Sequence, residues 1–448
     1  MIAPARRAAT DVSVSVDSGR QDLATALADA HGGLSDARDR ALLTELATGV
    51  QRWRLALDFA IHALTGRQVA DLDPEVRATL RLGLYQLQHA SRTPPSAVVN
   101  DAVEIVKRGP TRSASGLVNA VLRRVLRDGA PRLPDAPRVA VDDPAWRSQA
   151  LAYLAITHSH PAWLVERWLD RVGFESAESW VRYDNTPADV TVWPLTRDVA
   201  GPAAPLDVAG APTRFVPGGV VLTRGSDAMP LLREARAYAQ DEASAAVAVV
   251  TGAIATGRVL DACASPGGKT IAMRPWLPAE ARPIAADLRA RRVALLAATL
   301  RRAGSAVPVV RSDARHLPFA RTIDTLLIDA PCSGLGTLRR EPDLRWRRTP
   351  GDQAAQVTLQ RALVEEGLRV LAPGGRLIYA TCSSEPEENE DLVAAVLAAH
   401  PDWQLLDLRT VALPASMAPL VSAHGWLRTW PYLHGLDAFF AAVLQRRL

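Results

Sequence analysis

From about residue 236 the chain alternates short apolar runs with helical spacing, and this alternation constrains its fold more than any other feature. Strand patterns fall at 259–261, 284–287, 307–310, 325–329 and 376–381, and helical patterns at 290–303 and 353–371 lie between them. Such a grammar predicts a mostly parallel sheet with helices on both faces. Sheets of this kind hold ligands beyond the carboxyl ends of their strands, and the chemistry-bearing residues of this half fall at those ends.

The 448 residues are too many for one ordinary domain. Residues 1–17 show no periodicity and read as a flexible tail. Residues 18–132 are helical in pattern: Leu42, Leu43, Leu46, Val50, Trp53 and Leu57 recur at helical spacing, as do Leu80, Leu84 and Leu87, then Val98, Val99, Val103 and Val106. Pro94-Pro95 and Gly109-Pro110 punctuate the run, which makes a small all-α bundle. Arg123, Arg124 and Arg127 close its last helix, where they suit the negative helix end or a phosphate. A proline-rich linker, 133–146, leads to a small α+β middle domain, 147–235, with a helix near 161–171 and strand-like runs at 190–193 and 219–223. The fold class is therefore multi-domain, α followed by α/β, with the α/β domain at 236–448.

Three cysteines without a C-x-x-C pair exclude a disulfide framework and speak against a metal site. Free thiols suit a reducing cytoplasm. Neither an apolar leader nor a run of about 18 apolar residues occurs, so the reading is a soluble cytoplasmic protein without a membrane partner. A monomer is the default. A formal charge of +4 and a pI near 9.2 permit a nucleic-acid partner.

The segment D-A-C-A-S-P-G-G-K-T at 261–270 follows the first strand pattern. Gly268-Lys269-Thr270 looks like the end of a phosphate loop, but Cys263 stands where that motif needs Gly, and Pro266 has no amide to donate. No G-x-G-x-x-G occurs. A Gly-Gly turn without a phosphate nest suits a cofactor with a zwitterionic tail, such as S-adenosylmethionine. Cys263, Ala264, Ser265, Pro266, Gly267, Gly268 and Lys269 would line its site. Lys269 is one of only two lysines in a chain that otherwise uses arginine, which favours a place where a compact ammonium must fit. Asp287 ends the next strand pattern, where an acid would bind ribose hydroxyls, and Asp313 follows the third, where it would meet an adenine amino group. Singly, each is as readily a cap or turn residue; their serial placement carries the assignment.

Two further strand ends bear thiols: Cys332 in D-A-P-C-S-G at 329–334, and Cys382 in T-C-S at 381–383. Cys263 reads as a small buried hydrophobe. A thiolate added to carbon 6 of a pyrimidine makes carbon 5 nucleophilic toward a methyl sulfonium, splitting one difficult step into easier ones. Asp329 would hold the base and stabilise the adduct, and the second thiol would assist release. The residues alone do not order the two thiols. The base must be unstacked, so single-stranded or flipped RNA or DNA is expected. Beyond Cys332, Arg339, Arg340, Arg345, Trp346 and Arg347 interleave charge with an aromatic, as phosphate contacts and a stacking face do. The plainer reading is a solvated arginine surface with Trp346 as a packing anchor.

These motifs resemble the NOL1/NOP2/Sun family of RNA cytosine-C5 methyltransferases, and more closely its bacterial Sun/Fmu branch, which acts on small-subunit ribosomal RNA. Residues 82–87 (L-G-L-Y-Q-L) and 116–123 (G-L-V-N-A-V-L-R) resemble its NusB-like RNA-binding domain, giving 18–132 that identity. Residues 240–244, 261–270, 329–334 and 379–389 resemble its Rossmann-like catalytic domain. The resemblance implies that Cys382 is the nucleophile, that Cys332 aids release, and that 263–269, Asp287, Asp313 and Asp329 bind S-adenosylmethionine. Departures stand at Ser265 (usually Ala), at 191–195 (T-V-W-P-L in place of an arginine-bearing strand) and at Ala438 (usually Gly).

Overall fold

The computed structural model describes residues 2–90, 93–195 and 206–447. They form two compact units, Met1–Thr186 with Leu338–Arg348, and Pro187–Thr337 with Thr349–Leu448.

The first unit is helical: α1 (Pro4–Asp17), α2 (Leu23–His31), α3 (Ala37–Arg52), α4 (Arg54–Thr65), α5 (Pro74–His89), α6 (Pro95–Arg108), α7 (Ser115–Asp128), α8 (Trp146–Ala152) and α9 (Ala162–Asp184). The expected tail at 1–17 is thus corrected to a packed helix. Ala5, Ala9, Val12 and Val16 lie on one face of α1 and are buried in the same core as Leu43, Leu46, Leu80, Leu84 and Leu122. Alanines make that stripe weak to read, and Thr10 and Ser13, which bond back to carbonyls four residues earlier, dilute it further. The expected middle domain at 147–235 also divides. Its helices α8 and α9 belong to the first unit, and its strands to the second.

The second unit opens with a four-stranded antiparallel sheet, order β2-β3-β1-β4, from β1 (Thr191–Pro194), β2 (Gly210–Pro212), β3 (Val220–Leu222) and β4 (Ala237–Ala239), with α10 (Ala228–Arg233) before β4. Then α11 (Glu242–Ala253), capped by Asp241, leads into β5 (Arg258–Asp261), α12 (Gly268–Met273), β6 (Arg282–Asp287), α13 (Ala290–Arg302), β7 (Val309–Arg311) and β8 (Ile323–Asp329). After α14 (Leu344–Arg347), which lies in the stretch assigned to the first unit, come α15 (Pro350–Val370), β9 (Leu371–Thr381), α16 (Glu390–Ala399), β10 (Trp403–Leu405), β11 (Leu427–Arg428), α17 (Pro431–His434) and β12 (Phe440–Arg446). The large sheet runs β10-β12-β9-β8-β5-β6-β7, with β11 also on β12. Its β5, β6, β7, β8 and β9 are parallel, and β12 returns antiparallel to β9. The connections leave β5 toward β6 on one side and β8 lies on its other side, so the switch point falls between β5 and β8. Among the described residues no helix is long and apolar enough to cross a membrane.

Candidate active site

Register decides which side chains meet. Asp329 pairs across the sheet with Ala380, and the amide of Ala330 donates to the Ala380 carbonyl at 2.8 Å. The two strands therefore end together, and the turns beyond them carry Cys332 and Cys382 side by side, their sulfur atoms 3.3 Å apart. Both thiols are half-buried. The contact with Cys332, followed by burial, holds the Cys382 thiol well above its usual range; Asp329 adds to this and Lys269 opposes it.

Lys269, one residue into α12, donates from Nζ to Asp329 Oδ2 at 2.7 Å and lies 5.2 Å from the centre of the Phe439 ring. Burial disfavours its charge, but Asp329 outweighs burial and the ammonium is held above its ordinary range. Ammonium, carboxylate and two thiols thus converge at the ends of β5, β8 and β9.

The loop at 262–268 turns tightly from β5 into α12. Gly267 has φ +110°, and Gly268 opens α12. Thr270 Oγ1 donates to Asp261 Oδ2, leaving Asp261 Oδ1 buried and without a partner among the described residues; Gln240 Oε1 is in the same state. Burial pushes the Asp261 carboxyl up to about 7. Gln240 is also the nearest side chain to a Cβ built at Gly268. These orphaned acceptors beside the loop fit a ligand that brings its own donors, as the ammonium of an amino-acid tail does. Asp287, at the end of β6, accepts from the amides of Ser265 and Arg289 and from Arg292 Nε. Asp313, after β7, is paired with Arg315 at 2.7 Å, and that bond lowers it to about 2 despite some burial. Burial raises the Cys263 thiol, in keeping with a packed residue.

Two serines and one acid were not singled out in the sequence. Ser333 and Ser383 follow the thiols, and Glu388 is fully buried behind them. Glu388 accepts from Ser333 N (2.9 Å), Ser333 Oγ (2.6 Å) and Gln360 Nε2 (3.2 Å), while its carbonyl accepts from Tyr379. Its signal was its place in the 379–389 motif. Gly336 packs against the turn that carries Cys382: its amide donates to the Cys382 carbonyl, its carbonyl accepts from Ala438, and a Cβ there would collide with the Ala438 carbonyl oxygen.

The expectation that Arg339, Arg345 and Trp346 meet RNA is corrected. They lie in the first unit. Arg345 is fully buried, and its guanidinium donates to the carbonyls of Arg52, Ser159, Asp184 and Leu338 and to Asn185 Oδ1. Arg339 is buried over the Tyr183 ring, and Trp346 Nε1 donates to the Gln51 carbonyl at 2.7 Å. These bonds hold α14 in place; Arg345 is sealed from solvent, Arg339 nearly so, and Trp346 is half-buried. Arg340 is half-buried, and Arg347 is exposed and paired with Asp343.

The sequence profile of the 16S rRNA methyltransferase RsmB/F family matches residues 253–445, and that of the NusB family matches residues 3–127. The latter takes in α1, in agreement with its packing. A chain of Mycobacterium tuberculosis, MT1451, is 35% identical over 463 residues, spanning 99% of this chain and 96% of its own length. The ribosomal RNA small subunit methyltransferase B of Sodalis glossinidius is 33% identical over 416 residues, spanning 91% of this chain and 92% of its own. Among solved structures, PH0851 shares the fold over 100% of this chain and 99% of its own, with a TM-score of 0.77 at 24% identity.

Proposed function

Because this chain belongs to the RsmB/F family of 16S rRNA methyltransferases, we propose that it forms 5-methylcytosine in small-subunit ribosomal RNA through a covalent bond from Cys382 to carbon 6 of the base. The observation that carries this reading is the pair of thiols 3.3 Å apart beside the Lys269–Asp329 pair. A methyltransferase that acted on an amino group would leave both thiols idle.

S-Adenosylmethionine, when bound, supplies an electrophilic methyl group. Residues 263–269 would line its site, with Asp261 and Gln240 receiving its donors and Asp287 its ribose. Asp313 is the candidate for its adenine.

The chain's own residues do the rest. Cys382 Sγ, once deprotonated, bonds to carbon 6, and the electron pair of the C5–C6 double bond makes carbon 5 a nucleophile. Asp329 accepts from the exocyclic amine and so orients the base, and the Lys269 ammonium beside it supplies the positive charge that opposes the negative charge developing on the ring. After methylation a base takes the carbon 5 proton, the C5–C6 double bond re-forms, and the bond to Cys382 breaks. Cys332 is the group assigned to this release. The cytosine must be unstacked for either thiol to reach it, which supports a single-stranded or flipped target. The NusB-like bundle would hold the RNA.

A denaturing gel tests the assignment. Cys332→Ala, mixed with unmodified small-subunit ribosomal RNA and S-adenosylmethionine, should give a protein band shifted by attached RNA, and the Cys332→Ala/Cys382→Ala double variant should not. An adduct from Cys382→Ala and none from Cys332→Ala would reverse the two roles. No adduct from either, with an inactive native chain, would remove the reading.

A further inference from the structure

The end of the large sheet opposite the thiols, where its parallel strands begin, carries a second concentration of charge. Strand β5 begins at Arg258 and ends at Asp261; β6 begins at Arg282 and ends at Asp287. Arg258 and Arg282 are register partners in this parallel pair. Like charges set opposite each other on neighbouring strands are unfavourable unless something compensates them. Arg274, at the end of α12, joins them, and the three line a cleft of about 490 Å³. Among the described residues, none of the three guanidinium groups has an ion pair or hydrogen bond. The nearby acid, Asp324, is turned to the amide of Arg258, which donates to it at 2.7 Å. The cleft therefore presents three guanidinium groups with no paired carboxylate among the described residues.

An aromatic cavity adjoins it. The turn Arg274–Trp276 contributes Arg274 to the cleft and Trp276 to a neighbouring cavity of about 270 Å³, walled also by Trp193 of β1, Tyr238 of β4 and Pro275. Its walls are fixed by packing. Trp193 Nε1 donates to the Gln240 carbonyl at 3.0 Å, and Gly252 of α11 lets Trp276 lie so close that any Cβ there would collide with it. A preformed aromatic slot beside unpaired arginines is the combination that binds single-stranded nucleic acid, with bases stacking on rings and phosphates tracking the charge.

We propose that this end of the second unit's large sheet is an accessory site for single-stranded RNA, with phosphates at Arg258, Arg274 and Arg282 and one unpaired base against Trp276. It rests on the ribosomal RNA reading only for the source of that strand. The site would hold substrate at the far end of the strands from the reaction, raising affinity and leaving the chemical step alone.

The test uses the full chain and oligouridylate, which offers no target cytosine, read by fluorescence anisotropy over a range of salt. Arg258→Gln/Arg282→Gln should weaken binding and flatten the salt slope by about 0.7 for each phosphate that no longer meets a guanidinium. Trp276→Leu should weaken it at least about fivefold, and Trp276→Phe, which keeps a ring, should retain it. With ribosomal RNA the arginine variant should raise KM and leave kcat unchanged. Native binding and salt slope in the arginine variant would overturn the site, whatever the enzyme methylates. Weakening by the arginine changes with Trp276→Leu binding as the native chain does would overturn the base slot and leave only a charged patch. A native chain that binds oligouridylate through these residues and methylates no ribosomal RNA would instead overturn the proposed function.

Discussion

Ser333 and Ser383, each one residue beyond a thiol, lie with their hydroxyl oxygens 3.1 Å apart. The contact runs parallel to the one between the sulfur atoms, so two adjacent side-chain pairs tie the turn after β8 to the turn after β9. Glu388 anchors the Ser333 half through two hydrogen bonds. The thiols are thus held together from behind by a buried polar cluster rather than by apolar packing alone.

Glu388→Ala should therefore cost stability and catalysis together. It removes a buried acceptor from three donors, a loss on the order of 3 kcal/mol. Glu388→Gln keeps the shape but turns one acceptor into a donor, and should lower the adduct yield with a smaller fall in melting temperature. A Glu388→Gln enzyme with native adduct yield would show that the cluster does not set the thiol geometry.

The raised Cys382 thiol predicts a particular pH profile. Its largest cause is the contact with Cys332, so Cys332→Ala should move the thiol down toward its ordinary range. Alkylation of Cys382 by iodoacetamide, followed by peptide mass spectrometry, should then rise at lower pH than in the native chain. A larger rate with an unshifted midpoint would mean that only access had changed.

Asp261 makes stability fall with rising pH. Its folded value of about 7 lies above the ordinary 3.8, so the folded state favours the proton. Its contribution is complete below about pH 4 and is lost as pH rises through about 7. Asp261→Asn, measured by urea unfolding without cofactor, should lack this loss and gain a few kcal/mol on the native chain across that window. Parallel curves for the two proteins would refute it.

Arg345→Met should destabilise the first unit by about 3 kcal/mol, because four backbone carbonyls and Asn185 lose a buried donor. The salt slope of RNA binding should not change. A flatter slope would return Arg345 to the phosphate contacts from which its burial removes it.

What the sequence revealed follows from how local each signal is. The parallel sheet was legible because β5, β6, β8 and β9 are apolar runs that end in Asp261, Asp287, Asp329 and Thr381, with loops whose residues are specific to one chemistry. The convergence of Cys332, Cys382, Asp329 and Lys269 followed from topology once those ends were set. Helix α1 was not legible, since its buried stripe is made of alanine and valine between arginine, threonine and serine. The stretch 339–347 misled for a different reason. Arginines beside a tryptophan look the same whether they face phosphate or backbone carbonyls, and only the partner, far off in sequence, separates the two. Glu388 sits inside the 379–389 motif, but a buried acceptor reveals itself only through donors such as Ser333 and Gln360.

The membership of Leu338–Arg348 in the first unit bears on how the chain comes into being. The ribosome finishes α9 long before it reaches Arg345, so the helical half emerges with the carbonyls of Arg52, Ser159 and Asp184 still waiting for their donor. That half completes its fold only after β5, β6, β7 and β8 have been made. A cut at Thr186 would yield an unfinished piece rather than a portable module.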